Sequence, residues 1–199
     1  MSRIITGSAR GARLITPPGA HTRPTTERVR EALFSSLSTW AGTVDADPAE
    51  QLADLAVLDL FAGSGALGLE AASRGARPVT WVEKERSAAE VIKQNQRHTR
   101  LAGRVIVGSV RGFLSQPAAH ANDVILLDPP YELTNDELSE LIALALTGGH
   151  LLDDGIMVVE RSVRTGEPAW PTGLGLGWMR RYGESCLYFC RPSEGESDD

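Results

Sequence analysis

Two patterns predict an α/β fold with a mostly parallel sheet, and a third adds an antiparallel edge. From Ala56 onward short apolar runs alternate with amphipathic ones, as in strand–helix–strand units whose helices cover both faces of a sheet. A glycine-rich turn, Gly63-Ser64-Gly65, joins the first run to a helix start, as it does at the head of nucleotide-binding units. Near the end, two strand-like runs separated only by Gly183-Glu184 read as a hairpin. Five parallel strands and this hairpin make a seven-stranded sheet.

In chain order, Arg3-Ile4-Ile5-Thr6 and Ala12-Arg13-Leu14-Ile15-Thr16 flank Gly7 to Gly11, which predicts an N-terminal β-hairpin extension closed by Pro17-Pro18-Gly19. A helix follows from Thr26 to Trp40. Its apolar Val29, Leu33, Phe34 and Leu37 keep the 3.6-residue period, and Glu27 sits in the first turn, where the helix dipole favours an acid. Residues 42–54 hold four acids and no base, with Gly42 and Pro48, and read as an exposed loop. The parallel strands are expected at Ala56–Leu60, Pro78–Glu83, Arg104–Val107, Asp123–Asp128 and Gly155–Glu160. Ser87 to Glu90 and Thr134 to Glu137 each fit the capping box that opens a helix. The closing hairpin takes Trp178–Tyr182 and Ser185–Arg191, and the acidic stretch 193–199 is expected to be disordered. The expected layout is a basic hairpin extension (1–24), one catalytic domain (25–192) and a tail (193–199).

Composition bounds the function. A chain of 199 residues, 42% hydrophobic and 23% charged, can bury one sizeable core. There is no apolar run of 18 residues and no long apolar segment near Met1, so a cytoplasmic location without membrane contact is expected, and a monomer is the simplest state. Cys186 and Cys190 lie four apart in a strand-like run, which separates their Cα atoms by roughly 13 Å, too far for a disulfide. With His21, His98, His120 and His150 scattered along the chain, no zinc pattern appears and no metal is expected. These histidines are expected on the surface or in loops.

Charge is unevenly distributed. Residues 1–31 carry six arginines against Glu27 and Glu31, a balance of +4 that leaves −10 for the rest of a chain whose net charge is −6. A basic arm therefore rides on an acidic body, and arginine forks suit bidentate phosphate contact. Arg3, Arg10, Arg13, Arg23 and Arg28 are the candidates; Arg28 and Arg30 are weaker ones, since on a helix they can pair with Glu27 or Glu31. Because the strand–helix alternation starts later, the arm is expected to be removable without harm to the fold.

Two motifs carry chemistry. Val57-Leu58-Asp59-Leu60-Phe61-Ala62-Gly63-Ser64-Gly65-Ala66-Leu67-Gly68 is a strand, a turn and a helix start that satisfies G-x-G-x-x-G, with Glu83 twenty residues beyond Gly63. Asp59 argues against a dinucleotide, because a carboxylate at the strand end would face its pyrophosphate. S-adenosylmethionine (SAM) has no phosphate and brings an ammonium and a sulfonium, which an acid attracts. Gly63 and Gly65 let the backbone turn and approach the ligand, and Glu83 can accept ribose hydroxyls. In Leu126-Leu127-Asp128-Pro129-Pro130-Tyr131, the prolines must follow the strand, so Asp128 stands at its carboxyl end, where open α/β sheets bind ligands. Asp128 and the Pro129 carbonyl can accept the two N–H groups of an exocyclic amine, with Tyr131 offering a face to an unstacked base.

DLFAGSGALG, Val82-Glu83 and DPPY together resemble a class I SAM-dependent methyltransferase of Rossmann-like fold. RIITGSARGARL and TRPTTERVREALFSSL are similar to the RsmD-like family, which methylates N2 of a guanine in 16S ribosomal RNA; the resemblance spans residues 3 to about 192. It implies SAM as cofactor, S-adenosyl-L-homocysteine (SAH) as product, and 16S rRNA or the 30S subunit as partner. It also implies cofactor contacts at Asp59, Phe61, Gly63, Gly65 and Glu83, and a catalytic Asp128-Pro129-Pro130-Tyr131. Where many relatives place an acid near the adenine, this chain has Val107-Gly108-Ser109-Val110, and Ser109 is the candidate for the adenine amine. DPPY does not choose between guanine N2 and adenine N6 of DNA, but no inserted target-recognition domain favours DNA. An NAD-dependent oxidoreductase is opposed by Asp59. A silent RNA-binding module would have lost Asp59 or Asp128.

Overall fold

A computed structural model describes residues 2–16 and 26–193. The expectations for Pro17-Pro18-Gly19, His21, Arg23 and residues 194–199 lie outside the described residues. Among the described residues the order is β1 (Ser2–Arg3), β2 (Arg13–Leu14), α1 (Glu27–Trp40), β3 (Val57–Leu60), α2 (Ala66–Ser73), β4 (Val79–Glu83), α3 (Arg86–Thr99), β5 (Arg104–Val107) and α4 (Val110–Leu114), then β6 (Asn122–Leu127), α5 (Asn135–Thr147), β7 (Leu151–Ser162), β8 (Leu174–Tyr182) and β9 (Ser185–Pro192).

The seven-stranded sheet runs β5-β4-β3-β6-β7-β9-β8. Strands β5 to β7 pair in parallel, and β9 pairs antiparallel with both β7 and β8, so the mostly parallel sheet with an antiparallel C-terminal hairpin is as the sequence predicts. The chain steps from β3 outward to β5, then returns to the other side of β3 with β6. That reversal opens a crevice beyond the carboxyl ends of β3 and β6. One face of the sheet buries Trp81, Leu126 and Phe189 against α1, α2 and α3; the other buries Leu58, Ile125 and Val159 against α4 and α5.

Local chemistry explains most boundaries. Thr26 caps α1 by accepting the Val29 N–H, and Thr134 and Glu137 form the expected reciprocal capping box of α5. The box expected at Ser87 does not form. Glu83 accepts the N–H of Glu85 at 2.8 Å, which turns the chain early, so α3 starts at Arg86 with Glu85 as its cap and Ser87 already inside the helix.

One other expectation needs correction. The acidic stretch 42–54 is not simply exposed: Leu52 is fully buried, its N–H donates to the Arg74 carbonyl, and Gln51 accepts from the Arg74 guanidinium. His150 lies in the loop before β7, as expected, with its ring buried and Nε2 at 3.0 Å from the Gln116 carbonyl, so it links the turns before β6 and β7. Cys186 and Cys190 are free thiols buried in β9.

The N-terminal hairpin packs on the domain. Ile4 and Leu14 belong to the core cluster of the α1 face, each worth about 1.5–3 kcal/mol of apolar burial. The amides of Ile5 and Thr6 donate to the two oxygens of the fully buried Glu70 carboxylate on α2, at 2.8 and 3.0 Å. A Cβ on Gly7 would sit 1.9 Å from the Ser73 carbonyl oxygen, so only glycine lets this turn lie flat on α2. Asn95 of α3 fixes the outgoing strand through its Oδ1 and Nδ2 to the Ile15 backbone. These contacts pack the hairpin onto the α1 and α2 face and argue against a removable arm.

Candidate active site

Three adjacent parallel strands end in carboxylates. β4 ends at Glu83, Asp59 is the penultimate residue of β3, and Asp128 follows β6 directly. With Leu60 beside both Val82 and Leu127, the three groups gather at the crevice, and Asp59 feels the field of the other two. Asp59 is 2% exposed, and its Oδ2 accepts the Gly68 N–H at the start of α2. Burial pushes its carboxyl up to about 8, against the opposing Gly68 hydrogen bond, with Asp128 and Glu83 adding to the rise. An acid held uncharged by burial and by two like charges is a site that a cation would satisfy.

The turn between β3 and α2 is built for close approach. Phe61, Gly63 and Gly65 all have positive φ (60°, 55° and 79°), a conformation natural for glycine and uncommon for phenylalanine. A Cβ on Gly63 would meet nothing nearer than 4.0 Å, so the backbone there faces open space. Gly68 serves packing instead, since its Cβ would lie 2.3 Å from Trp81 Nε1. Glu83 holds the turn: its Oε2 accepts the Gly63 N–H at 2.7 Å while Oε1 accepts Glu85. Each oxygen keeps a further lone pair for a hydroxyl donor. Ser109 caps α4 by accepting the Gly112 N–H at 3.0 Å, which leaves its O–H as the group available to a ligand.

On the other side of Asp128, Pro129 is buried and Tyr131 is 56% exposed. The loop they form is tied from behind by Arg161 of β7, a residue no sequence motif singled out. Its Nη2 donates to the Leu133 carbonyl at 2.7 Å and its Nε to Asn135 Oδ1 at 3.2 Å. Burial lowers the Arg161 pKa while Asp128 works the other way, so the buried cation stands in the field of the Asp128 carboxylate. An arginine amid the apolar residues of β7 was the available signal.

The candidate arginines separate. Arg10, Arg13 and Arg28 are exposed. Arg3 pairs with Glu27 at 3.1 Å near the surface. Arg30 is 1% exposed, donates to Ser2 Oγ and to the Arg3 carbonyl, and lies 3.8 Å from Glu70; it binds hairpin to helix. Arg23 lies outside the described residues. Among the described residues no three His, Cys, Asp or Glu side chains are placed so that they could hold a metal ion together, and no helix is long and apolar enough to cross a membrane.

A family model described as conserved hypothetical protein 95 matches residues 2–191. The ribosomal RNA small subunit methyltransferase D of Escherichia coli K12 is 35% identical over 198 residues, covering 98% of this chain and 93% of that protein. A solved structure of a putative methyltransferase from Escherichia coli aligns with a TM-score of 0.80 at 32% identity, covering 96% of this chain and 97% of that one. A putative methyltransferase complexed with SAH shares the fold, with a TM-score of 0.61 at 15% identity over 82% of this chain and 48% of its own.

Proposed function

The chain belongs to the conserved hypothetical protein 95 family, the RsmD-like methyltransferases, and from that premise we propose that it methylates the N2 amine of a guanine in 16S rRNA, using SAM. The observation that carries this reading is the set of three carboxylates at the ends of β4, β3 and β6 around the switch point. Such a set repels a pyrophosphate and attracts a sulfonium and an ammonium.

The residues present fit SAM. Asp59 would face its positive groups, the Phe61–Gly65 turn would pass close beneath it, Glu83 would accept ribose hydroxyls, and the Ser109 hydroxyl would face the adenine. Bound there, SAM supplies an electrophilic methyl group. Asp128 and the Pro129 carbonyl do the rest of the chemistry: each accepts one N–H of the guanine amine, which draws its lone pair out of conjugation and aims it for in-line attack. Pro129 and Pro130 stiffen the loop, Arg161 anchors it, and Tyr131 stacks on the extruded base, a contact worth about 1–3 kcal/mol. Arg3, Arg10, Arg13, Arg23 and Arg28 contact rRNA phosphates. The substrate is the rRNA within the small subunit, met in the cytoplasm by a monomer.

Labelled SAM offered in parallel to unmodified 30S subunits, naked 16S rRNA and duplex DNA tests the reading. Label in rRNA, recovered as N2-methylguanine, is expected. Label in DNA adenine, or in none of the three, overturns it.

A further inference from the structure

Beside the DPPY loop, on the side away from the glycine turn, lies a cleft of about 360 Å³ with Tyr131, Glu160, Arg28, Arg181, Tyr182 and Glu184 in its walls. Its place follows from the sheet. Glu160 continues the parallel register in which Leu127 pairs with Val159, so it stands next to Asp128 at the carboxyl edge, and Arg181 and Tyr182 end β8 before Gly183-Glu184 turns into β9. In the order β4-β3-β6-β7-β9, the cofactor groups occupy one side of Asp128 and this cleft the other.

Its cations are not neutralised from within. Among the described residues Arg28 has no ion pair, and the Arg181 guanidinium donates only to the Gly183 carbonyl at 3.3 Å. Neither acid of the cleft pairs with these two arginines: Glu184 pairs with Arg164 at 3.4 Å, and Glu160 accepts the hydroxyl of Ser185, also in the cleft wall, at 2.8 Å. Two guanidinium forks suit a phosphate, and two tyrosines suit a base or sugar beside it. The volume is at the small end of ligand sites, the scale of a single nucleotide.

We infer that this cleft seats the nucleotide adjoining the target guanine, with its phosphate held by Arg28 and Arg181. The inference rests on the RNA-methylating reading above. It gives the enzyme a second grip on the strand, at the C-terminal hairpin, close enough to the acceptors to steer one base out of its stack.

The test is the double variant Arg28→Ala/Arg181→Ala, with Arg28→Lys/Arg181→Lys beside it and Arg104→Ala, at the opposite edge of the sheet, as control. Initial rates on unmodified 30S subunits are measured over a range of subunit and salt concentrations, and SAM affinity by calorimetry. The alanine pair is expected to raise KM for subunits at least tenfold with kcat within twofold and to make the salt dependence of log KM shallower by about one to two units. SAM affinity and the thermal midpoint should stay at wild-type values. The lysine pair keeps charge without the fork and should show a smaller rise in KM, so a poorly folded alanine pair does not leave the question open. Wild-type KM and salt slope in both pairs, or a fall in kcat alone, overturns the subsite while leaving rRNA methylation standing. A wild-type enzyme that does not methylate rRNA overturns both.

Discussion

Replacing Glu70 with alanine decides whether the basic hairpin is part of the domain or an attachment to it. The Glu70 carboxylate is fully buried, accepts the amides of Ile5 and Thr6, and holds Arg74 at 3.1 Å and Arg30 at 3.8 Å. Its removal strands two buried guanidinium groups and two amides at once. Breaking a buried charge pair by deleting one partner costs about 3–5 kcal/mol. In a chain of this size each kcal/mol moves the thermal midpoint by about 2–4 °C, so a fall of about 6–20 °C is expected. Calorimetry or far-ultraviolet dichroism reads it directly. Glu70→Gln keeps the shape and one acceptor oxygen, and should lose less. A midpoint for Glu70→Ala within about 2 °C of wild type would refute the coupling, and the hairpin could again be treated as a detachable RNA-binding arm. If the coupling holds, deleting residues 2–16 also costs Ile4 and Leu14 their burial, and charge reversal at the exposed Arg10 and Arg13 becomes the cleaner test of RNA contact.

Asp128→Ala should abolish methyl transfer and leave SAM affinity within about threefold; near-normal turnover would rule out the acceptor mechanism. Glu83→Ala should weaken SAM by about ten- to a hundredfold, the worth of a hydrogen bond to a charged acceptor, and an unchanged dissociation constant would remove Glu83 from the site. Asp59 sets a pH dependence. With its folded pKa raised to about 8 from an ordinary 3.8, the folded state holds the extra proton, so this stabilisation is complete below pH 3.8 and lost as pH rises through 8. The midpoint of wild type should therefore fall more than that of Asp59→Asn across this window, and SAM affinity should rise with pH as the carboxylate ionises; parallel pH profiles would sink the assignment. Gly68→Ala forces a Cβ to 2.3 Å from the buried Trp81 ring and should cost about 1–3 kcal/mol by chemical denaturation.

The sheet was legible because each of its signals is local. A strand buried on both faces reads as an apolar run, a two-residue Gly183-Glu184 turn leaves only a hairpin, and prolines at 129 and 130 can only stand past a strand end. What failed depended on partners distant in sequence. Ser87 has the right spacing for a capping box, yet the cap went to Glu85 because Glu83, a strand residue, captures its amide. Residues 42–54 look like solvent-facing acid, and only the Arg74 carbonyl and guanidinium, more than twenty residues on, turn Leu52 inward.

The same limit divides the functional residues. Asp59, Glu83 and Asp128 could be placed at strand ends from spacing alone, and the fold brings all three to one crevice. The arginines could not be sorted, because a charge count treats every guanidinium alike. The balance of +4 in residues 1–31 includes Arg30, which is spent on Glu70 inside the protein, and Arg3, which is shared with Glu27. It omits Arg181, which lies far along the chain from residues 1–31 yet faces the cleft beside Tyr131. Exposure and the absence of an acid partner, not sequence density, decide which cations are available to a phosphate. By that criterion Arg10 and Arg13 on the hairpin, Arg28 on α1 and Arg181 on β8 are exposed cations with no acid partner among the described residues.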